Sequence, residues 1–424
     1  MIKFLIKGLI RDRSRSLFPV LMVCAGAFLT VFIYSYMKGA IGDMVDSSAR
    51  FDTGHVKIMT IAYSELSDQM PNDLALLGIG ALMEKIEKQN PDMVWTSRIK
   101  LGGLLDIPDE NGQTRSQGPV FGIGIDLFSP DSAEIDILNL KKSIVRGRIP
   151  QNRNEILMSE SFAQKLGVGI GETATLISST MQGSMTMHNL KVVGTIRFGM
   201  QALDKSTMIA DINDVRAALD MKDGASEILG FTKDMVYADS AMVKAAQEFN
   251  RKYSNKDDEF SPVMLSLGEQ GGLKEILQMA NAIGGIIVMV FVFAMSIVLW
   301  NAGLMNGIRR YGEIGVRLAM GESKGGIYRS MIVESIFIGI IGSVIGTALG
   351  LAVSYWLQYM GFDFSSMMQK STILMSNVLR ARVTTTSFYV GFLPGLFASV
   401  IGTMFAGIGI YRRQTSQLFR ELEV

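Results

Sequence analysis

Four stretches carry no charged side chain: residues 16–37, 276–308, 335–362 and 383–411, of 22, 33, 28 and 29 residues. A helix crosses the hydrocarbon core of a bilayer in about 20 residues, so each stretch can span one. Between the first two the pattern changes. Alternating or β-rich runs occur at 55–61, 94–99, 103–107, 119–125, 174–178, 190–196 and 235–238. Helical periodicity appears at 74–89, 159–166, 211–219 and 239–252, with Gly167 as a stop and Asp211 and Asp239 as caps. The runs 174–178 and 190–196 read as a hairpin around a loop at 179–189. The expected fold is an α-helical membrane protein with four transmembrane helices, one before and three after a large α+β extracytoplasmic domain.

Charge sets the orientation. Five basic residues precede the first span, five lie between the second and third, and Arg412, Arg413 and Arg420 follow the fourth. Only Lys370, Arg380 and Arg382 lie between the third and fourth. The positive-inside bias places both termini in the cytoplasm. The layout expected is an interfacial amphipathic helix over 1–16, spans over 17–38, 276–308, 331–357 and 385–411, and an outer domain over 39–275. A cytoplasmic helix covers 309–330, a short external loop 358–384, and a cytoplasmic tail 412–424. Lys3, Lys7 and Arg11 recur every fourth residue among Ile2, Leu5, Ile6, Leu9 and Ile10, the pattern of a helix lying on the inner surface. The first apolar run is too long for a signal-peptide core and reads as an uncleaved anchor.

Composition excludes several classes. Apolar residues make up 48% and charged residues 19%, below the roughly 25% of soluble domains. The net charge of +1 gives no argument for nucleic acid. One cysteine, Cys24, excludes an internal disulfide, and two histidines exclude a three-imidazole zinc site. No Gly-Lys dipeptide occurs, so the phosphate loop of nucleotide engines is absent. Gly321-Glu322-Ser323-Lys324-Gly325 matches G-x-S-x-G, but a basic helical pattern precedes it where a nucleophile elbow needs a strand. Ser161 and Lys165 miss the S-x-x-K spacing by one. No catalytic residue and no metal site is expected.

Three patterns point to function. Gly342, Gly346 and Gly350 form small-x-x-x-small steps on one face of the third span, spacing that lets helix backbones approach within one chain or between chains. Met181, Met185 and Met187 lie in the expected hairpin loop, where flexible, polarizable side chains suit a partner or acyl contact, or cover a local cluster. Arg309, Glu313 and Arg317 recur at i, i+4 and i+8 after the second span and can form an ion-pair ladder.

That last segment carries a resemblance. Glu313-Ile314-Gly315-Val316-Arg317-Leu318-Ala319-Met320-Gly321 resembles the E-I-G-[IV]-[KR]-x-A-x-G signature of MacB/FtsX-type (type VII, mechanotransmission) ABC permeases, and falls just after the second span as in that family. Gly147-Arg148-Ile149-Pro150, Asn154-Glu155-Ile156, Ile170-Gly171-Glu172 and Val192-Val193-Gly194-Thr195-Ile196 resemble its periplasmic core in order. In size and layout the chain looks most like the LolC/LolE lipoprotein-releasing permeases; Asp52-Thr53-Gly54-His55-Val56-Lys57-Ile58 resembles the G-H-[IV]-x-[IV] start of LolE-like permeases, a shorter sign of the same. MacB itself carries a fused ATPase before its permease, so the chain is not expected to be MacB in the strict sense.

The resemblance implies a bacterial inner-membrane permease, non-catalytic, with residues 39–275 in the periplasm. It works with a second permease, as homo- or heterodimer, among membrane lipids. No cofactor binds this chain; ATP and Mg sit on separate ABC ATPase subunits. Arg310, Glu313, Gly315, Arg317 and Gly321 would couple to the ATPase. The implied activity is extraction of lipoproteins from the inner membrane for delivery to a periplasmic carrier. The alternatives are an efflux permease of a tripartite system and an FtsX-like regulator of a cell-wall hydrolase.

Overall fold

The computed structural model describes residues 13–309, 311–363 and 378–412. The interfacial helix expected over 1–16 and the tail over 412–424 fall almost entirely outside these residues. The first long helix, α1 (Arg13–Ser48), runs past residue 38, where the charge pattern ends the span, and passes into a π-helical turn, Ala49–Thr53. Gly54, at φ +61°, turns the chain out of it into the first strand.

The large unit, Asp43–Ile276, is built on a ten-stranded mixed sheet. Its elements in chain order are β1 (Val56–Thr60), α2 (Ile79–Gln89), β2 (Met93–Pro108), β3 (Thr114–Ile125), α3 (Glu134–Ile137) and β4 (Ile144–Gly147). There follow β5 (Glu155–Ser159), α4 (Glu160–Leu166), β6 (Thr173–Ser179), β7 (Met185–Ile196), β8 (Thr207–Asp211) and α5 (Ile212–Leu219). Then come β9 (Glu227–Thr232), α6 (Asp239–Tyr253) and β10 (Pro262–Ser266). The strand order is β10-β1-β9-β2-β3-β8-β5-β7-β4, with β6 pairing β2 and β7. Only β3–β8 and β5–β7 are parallel. The α+β expectation holds.

The core follows the alternation along the strands. Ile99, Leu105, Ile156, Phe162, Leu190 and Val215 bury one cluster, held under α4 and α5. A second cluster joins Val56, Ile58 and Ile228 to Ile86 of α2 and Phe249 of α6. Ile123, Leu157 and Ile196 anchor a third on the other face, against which Phe51 and Phe198 pack. Helix ends are set locally. Ser159 accepts from the Phe162 amide (3.2 Å) and Asp211 from the Asn213 amide (2.9 Å), each capping the helix that follows. Gly167, at φ +63°, closes α4.

Several expected elements change. The runs 94–99 and 103–107 are one strand, β2, because Gly102 and Gly103 leave room for β6: a Cβ on Gly103 would fall 2.6 Å from the Ile177 carbonyl oxygen. The helix expected over 74–89 starts only at Ile79, since Leu76 and Leu77 pair with Ala225 and Gly224 and Gly78 is left-handed. Residues 235–238 are not a strand. Met235 is left-handed (φ +55°) and the Asp234 carboxylate accepts from the Val236 amide, an Asx turn that breaks the ladder. Asp239 is the first residue of α6 rather than its cap; its carboxylate accepts from the Tyr237 hydroxyl (2.6 Å). The loop expected over 179–189 is only a turn, because β7 begins at Met185.

The other unit holds the remaining spans and the start of α1. Its later helices are α7 (Leu273–Arg309), α8 (Tyr311–Ala319), α9 (Lys324–Met360) and α10 (Thr385–Arg412). Four helices are long and apolar enough to cross a membrane among the described residues: α1, α7, α9 and α10. The single helix expected over 309–330 is two, broken at Gly321, whose φ of +91° no helix interior adopts. The loop expected over 358–384 is shortened by α9, which runs to Met360. A two-residue ladder, Phe362–Asp363 with Val378–Leu379, follows.

Candidate coupling and packing sites

The corner between α8 and α9 is built from three residues. Gly321 donates to the Leu318 carbonyl (3.0 Å) and Glu322 to the Arg317 carbonyl (3.0 Å), which closes α8 as a Schellman motif with glycine at the left-handed position. Ser323 then caps α9, accepting from the Gly326 amide (3.1 Å). Across the corner Arg317 grips Glu322 with Nε (2.7 Å) and Nη2 (2.8 Å). That fork holds the Glu322 carboxyl below its ordinary range. The signature thus encodes a rigid helix–glycine–helix bend.

Glu313 and Gly315 lie on α8 with Arg317 and Gly321 at its end; Arg310 and the side chains of Glu313 and Arg309 lie outside what is described. The ladder expected for Arg317 with Glu313 is therefore not in view, and Glu322 is the partner that sequence spacing missed. Among the described residues an added Cβ at Gly315 would meet nothing within 4 Å. Replacing Glu313 and Arg317 together by alanine is expected to lower recovery of a tagged ATPase in detergent at least fivefold, with membrane insertion unchanged. Equal recovery and equal ATP turnover would refute the coupling role.

The three glycines of α9 face α1. A Cβ on Gly342 would lie 2.8 Å from Val23 Cβ, one on Gly350 2.9 Å from Val31 Cβ, and one on Gly346 would run into the Cys24 carbonyl oxygen. Each four-residue step along α9 meets a four-residue step along α1, so the two helices run parallel. The adjacent flank of α9 meets α10 antiparallel. Gly339 lies against Ser399, Ser343 against Gly395 and Thr347 against Gly391, each glycine facing a hydroxyl. Such close approach replaces the missing hydrophobic drive between helices in lipid.

The hairpin methionines divide. Met181 sits in the turn, half-buried against the core, its amide bonded to the Leu219 carbonyl (2.8 Å). Met185 and Met187 project from β7 and are 75% and 66% exposed. Met187 is in register with Ile177, Leu104 and Pro119 on three neighbouring strands. The sheet therefore offers a four-strand apolar row ending in the flexible Met187, with Met185 two residues away on the same strand, in register with Ser179.

A charged core holds the turn that follows α1. Arg98 and Glu134 are wholly buried and paired twice, at 2.7 and 2.9 Å; Thr96 adds a third bond to Glu134 at 2.8 Å. Arg98 Nη1 also donates to the Arg50 carbonyl (2.7 Å). Beside it, Lys57 and Lys100 share Glu227 (3.0 and 3.1 Å) and Asp52 (3.3 Å from Lys57, in direct contact with Lys100). Burial works against an ionised Asp52, but the Lys100 and Lys57 charges outweigh it and hold the carboxyl below its usual range. Asp52 and Lys57 fall in the short stretch compared with LolE-like permeases, but none of these residues was expected from the sequence to form an ion pair. The available signal was two cations, Arg98 and Lys100, inside an apolar strand. Among the described residues no group of three or more metal-ligating side chains occurs.

Comparison with known proteins places these features. Residues 285–415 match the FtsX-like permease C-terminal family. The chain is 23% identical over 245 residues to the lipoprotein-releasing system transmembrane protein LolC of Xylella fastidiosa, covering 57% of each chain. It is 31% identical over 107 residues to the macrolide export ATP-binding/permease protein MacB of Neisseria gonorrhoeae, covering 24% of this chain and 16% of that one. The match thus spans little more than half of the LolC relative. The periplasmic region of MacB from Actinobacillus actinomycetemcomitans aligns with 53% of this chain and 94% of its own, at 12% identity and a TM-score of 0.37.

Proposed function

We propose, from the premise that this chain is an ABC-transporter permease of the MacB/FtsX type resembling LolC, that it releases lipoproteins from the bacterial inner membrane to a periplasmic carrier. A separate ATPase supplies ATP and Mg chemistry and docks on the α8–α9 corner. A second permease, identical or related, completes the assembly in the lipid. Both termini lie in the cytoplasm and the large domain in the periplasm.

The observation that carries the reading is the apolar row ending in Met187, with the exposed Met185 beside it on the same strand. A cargo with acyl chains, or a carrier that shields them, needs an apolar contact that forms and dissolves. Unbranched thioether side chains on an exposed strand supply one without a fixed shape. The 245-residue similarity to LolC supports the same cargo class.

Purification from the native host in mild detergent, with mass spectrometry of proteins and lipids, tests this. Co-purifying ATPase with acylated lipoprotein is expected. Met185→Asp with Met187→Asp should cut carrier recovery about tenfold and leave ATP hydrolysis unchanged. ATPase with an adaptor and duct, or with a cell-wall hydrolase, and no lipoprotein would replace the proposal by export or by hydrolase control.

A further inference from the structure

The turn Ala49–Thr53 is held more firmly than a tether requires. A linker that only connects a helix to a domain can be short and solvated at little cost. This one is π-helical, a form found mostly at functional sites. It meets charges from two strands directly: Asp52 pairs with Lys57 of β1 and Lys100 of β2, and the Arg50 carbonyl accepts from Arg98 of β2. Behind these cations stand Glu227 of β9 and Glu134 of α3. Arg50 returns the contact, donating to the Ile137 carbonyl at the end of α3 (3.2 Å). Buried ion pairs are poor stabilisers, because desolvation consumes most of the attraction, and an apolar set of equal volume would hold the sheet as well. What charges add is a fixed geometry.

The chain leaves the domain beside the place it came in. β1 and β10, the first and last strands of the sheet, are paired neighbours. Gln270, just before α7, donates to the Thr53 carbonyl (3.3 Å), and the Leu267 amide to the His55 carbonyl (3.1 Å).

Resting on the permease reading above, we infer that Asp52, Lys57, Lys100 and Glu227 are positioning residues forming the joint through which displacement of α1 reaches the sheet. Asp52 is the element that engages. It belongs to the turn, it is the more exposed carboxylate of the four-charge set, and it bridges two lysines rooted on different strands. Without it the lysines keep Glu227 and the sheet keeps its ladders, but the turn loses its ion-pair link to β1 and β2 and keeps only neutral-carbonyl hydrogen bonds, from Arg98 to Arg50, from Arg50 to Ile137 and from Gln270 to Thr53.

The full chain, purified with its ATPase in lipid nanodiscs, provides the test by amide hydrogen exchange with and without ADP and vanadate. In the wild type, nucleotide should change deuterium uptake in segments 49–54 and 227–232 together. In Asp52→Asn the change in 49–54 should persist and that in 227–232 fall at least fivefold, with ATP hydrolysis within twofold of wild type. Asp52→Glu should restore transmission. If Asp52→Asn does not fold, Asp52→Ser gives the same expectation. Transmission within twofold of wild type in the folded variant overturns the joint, as does a loss that Asp52→Glu leaves unrepaired. A wild type with no nucleotide-dependent change in either segment refutes the permease coupling itself, and the joint with it.

Discussion

Replacing Glu134 by alanine should destabilise the large domain by about 3–5 kcal/mol, the cost of leaving a buried charge unpaired. Arg98 has no exposure, and its guanidinium cannot shed its proton to escape the penalty. Removing Glu134 takes away both arms of the fork and the bond from Thr96. Only the Arg50 carbonyl then remains as an acceptor for Arg98. Trp95, buried on the same strand, reports on this region once Trp300 and Trp356 are replaced by phenylalanine. The expected result is a large fall in the urea midpoint of Trp95 fluorescence. Arg98→Met combined with Glu134→Leu should cost less than Glu134→Ala, since it leaves no orphaned charge. A single variant within 1 kcal/mol of wild type would mean that water reaches the pair.

The second large effect is expected in the spans. Gly346→Leu should prevent α9 from seating on α1. The new Cβ would collide with the Cys24 carbonyl oxygen and fall 2.9 Å from Ala27 Cβ. Backbone cannot rotate away as a side chain can, so the cost belongs at or above the upper end of the usual overpacking range, about 3 kcal/mol. Gly284→Leu is the matched control: it lies on α7 with nothing within 4 Å of its Cβ position. Thermal unfolding in detergent should show a lowered midpoint, or no recoverable protein, for Gly346→Leu and near-wild-type behaviour for Gly284→Leu. Equal midpoints would show that α1 and α9 do not rely on this contact.

What could be read from the chain, and what could not, follows from the range of each interaction. The four spans are visible because lipid demands a local property, about 20 apolar residues in succession. The cap at Asp211 is visible because its partner lies two residues away. The glycine face of α9 is legible as a face, yet its partner is not: the same spacing serves a neighbour in the chain or in another chain. The Arg317–Glu322 fork was missed because its spacing of five has no place on a helix surface; it exists only once Gly321 turns the chain. The joint at Asp52 is beyond any local pattern, since its four charges come from positions 52, 57, 100 and 227. Met185 and Met187 were read as a loop because the turn at 180–184 is tighter than their polar surroundings indicate, and the strand beneath them runs further.

The pairing of β1 with β10 has one more consequence. The two ends of the large domain meet as ladder neighbours, roughly 5 Å apart. To the helices on either side, more than two hundred intervening residues occupy the footprint of a tight hairpin. A head inserted at such a point can be enlarged, trimmed or exchanged for another without altering the helices that carry it. The α8–α9 corner and the glycine-packed spans can then stay as they are while the specificity of the large domain evolves by grafting at a single pair of adjacent strands.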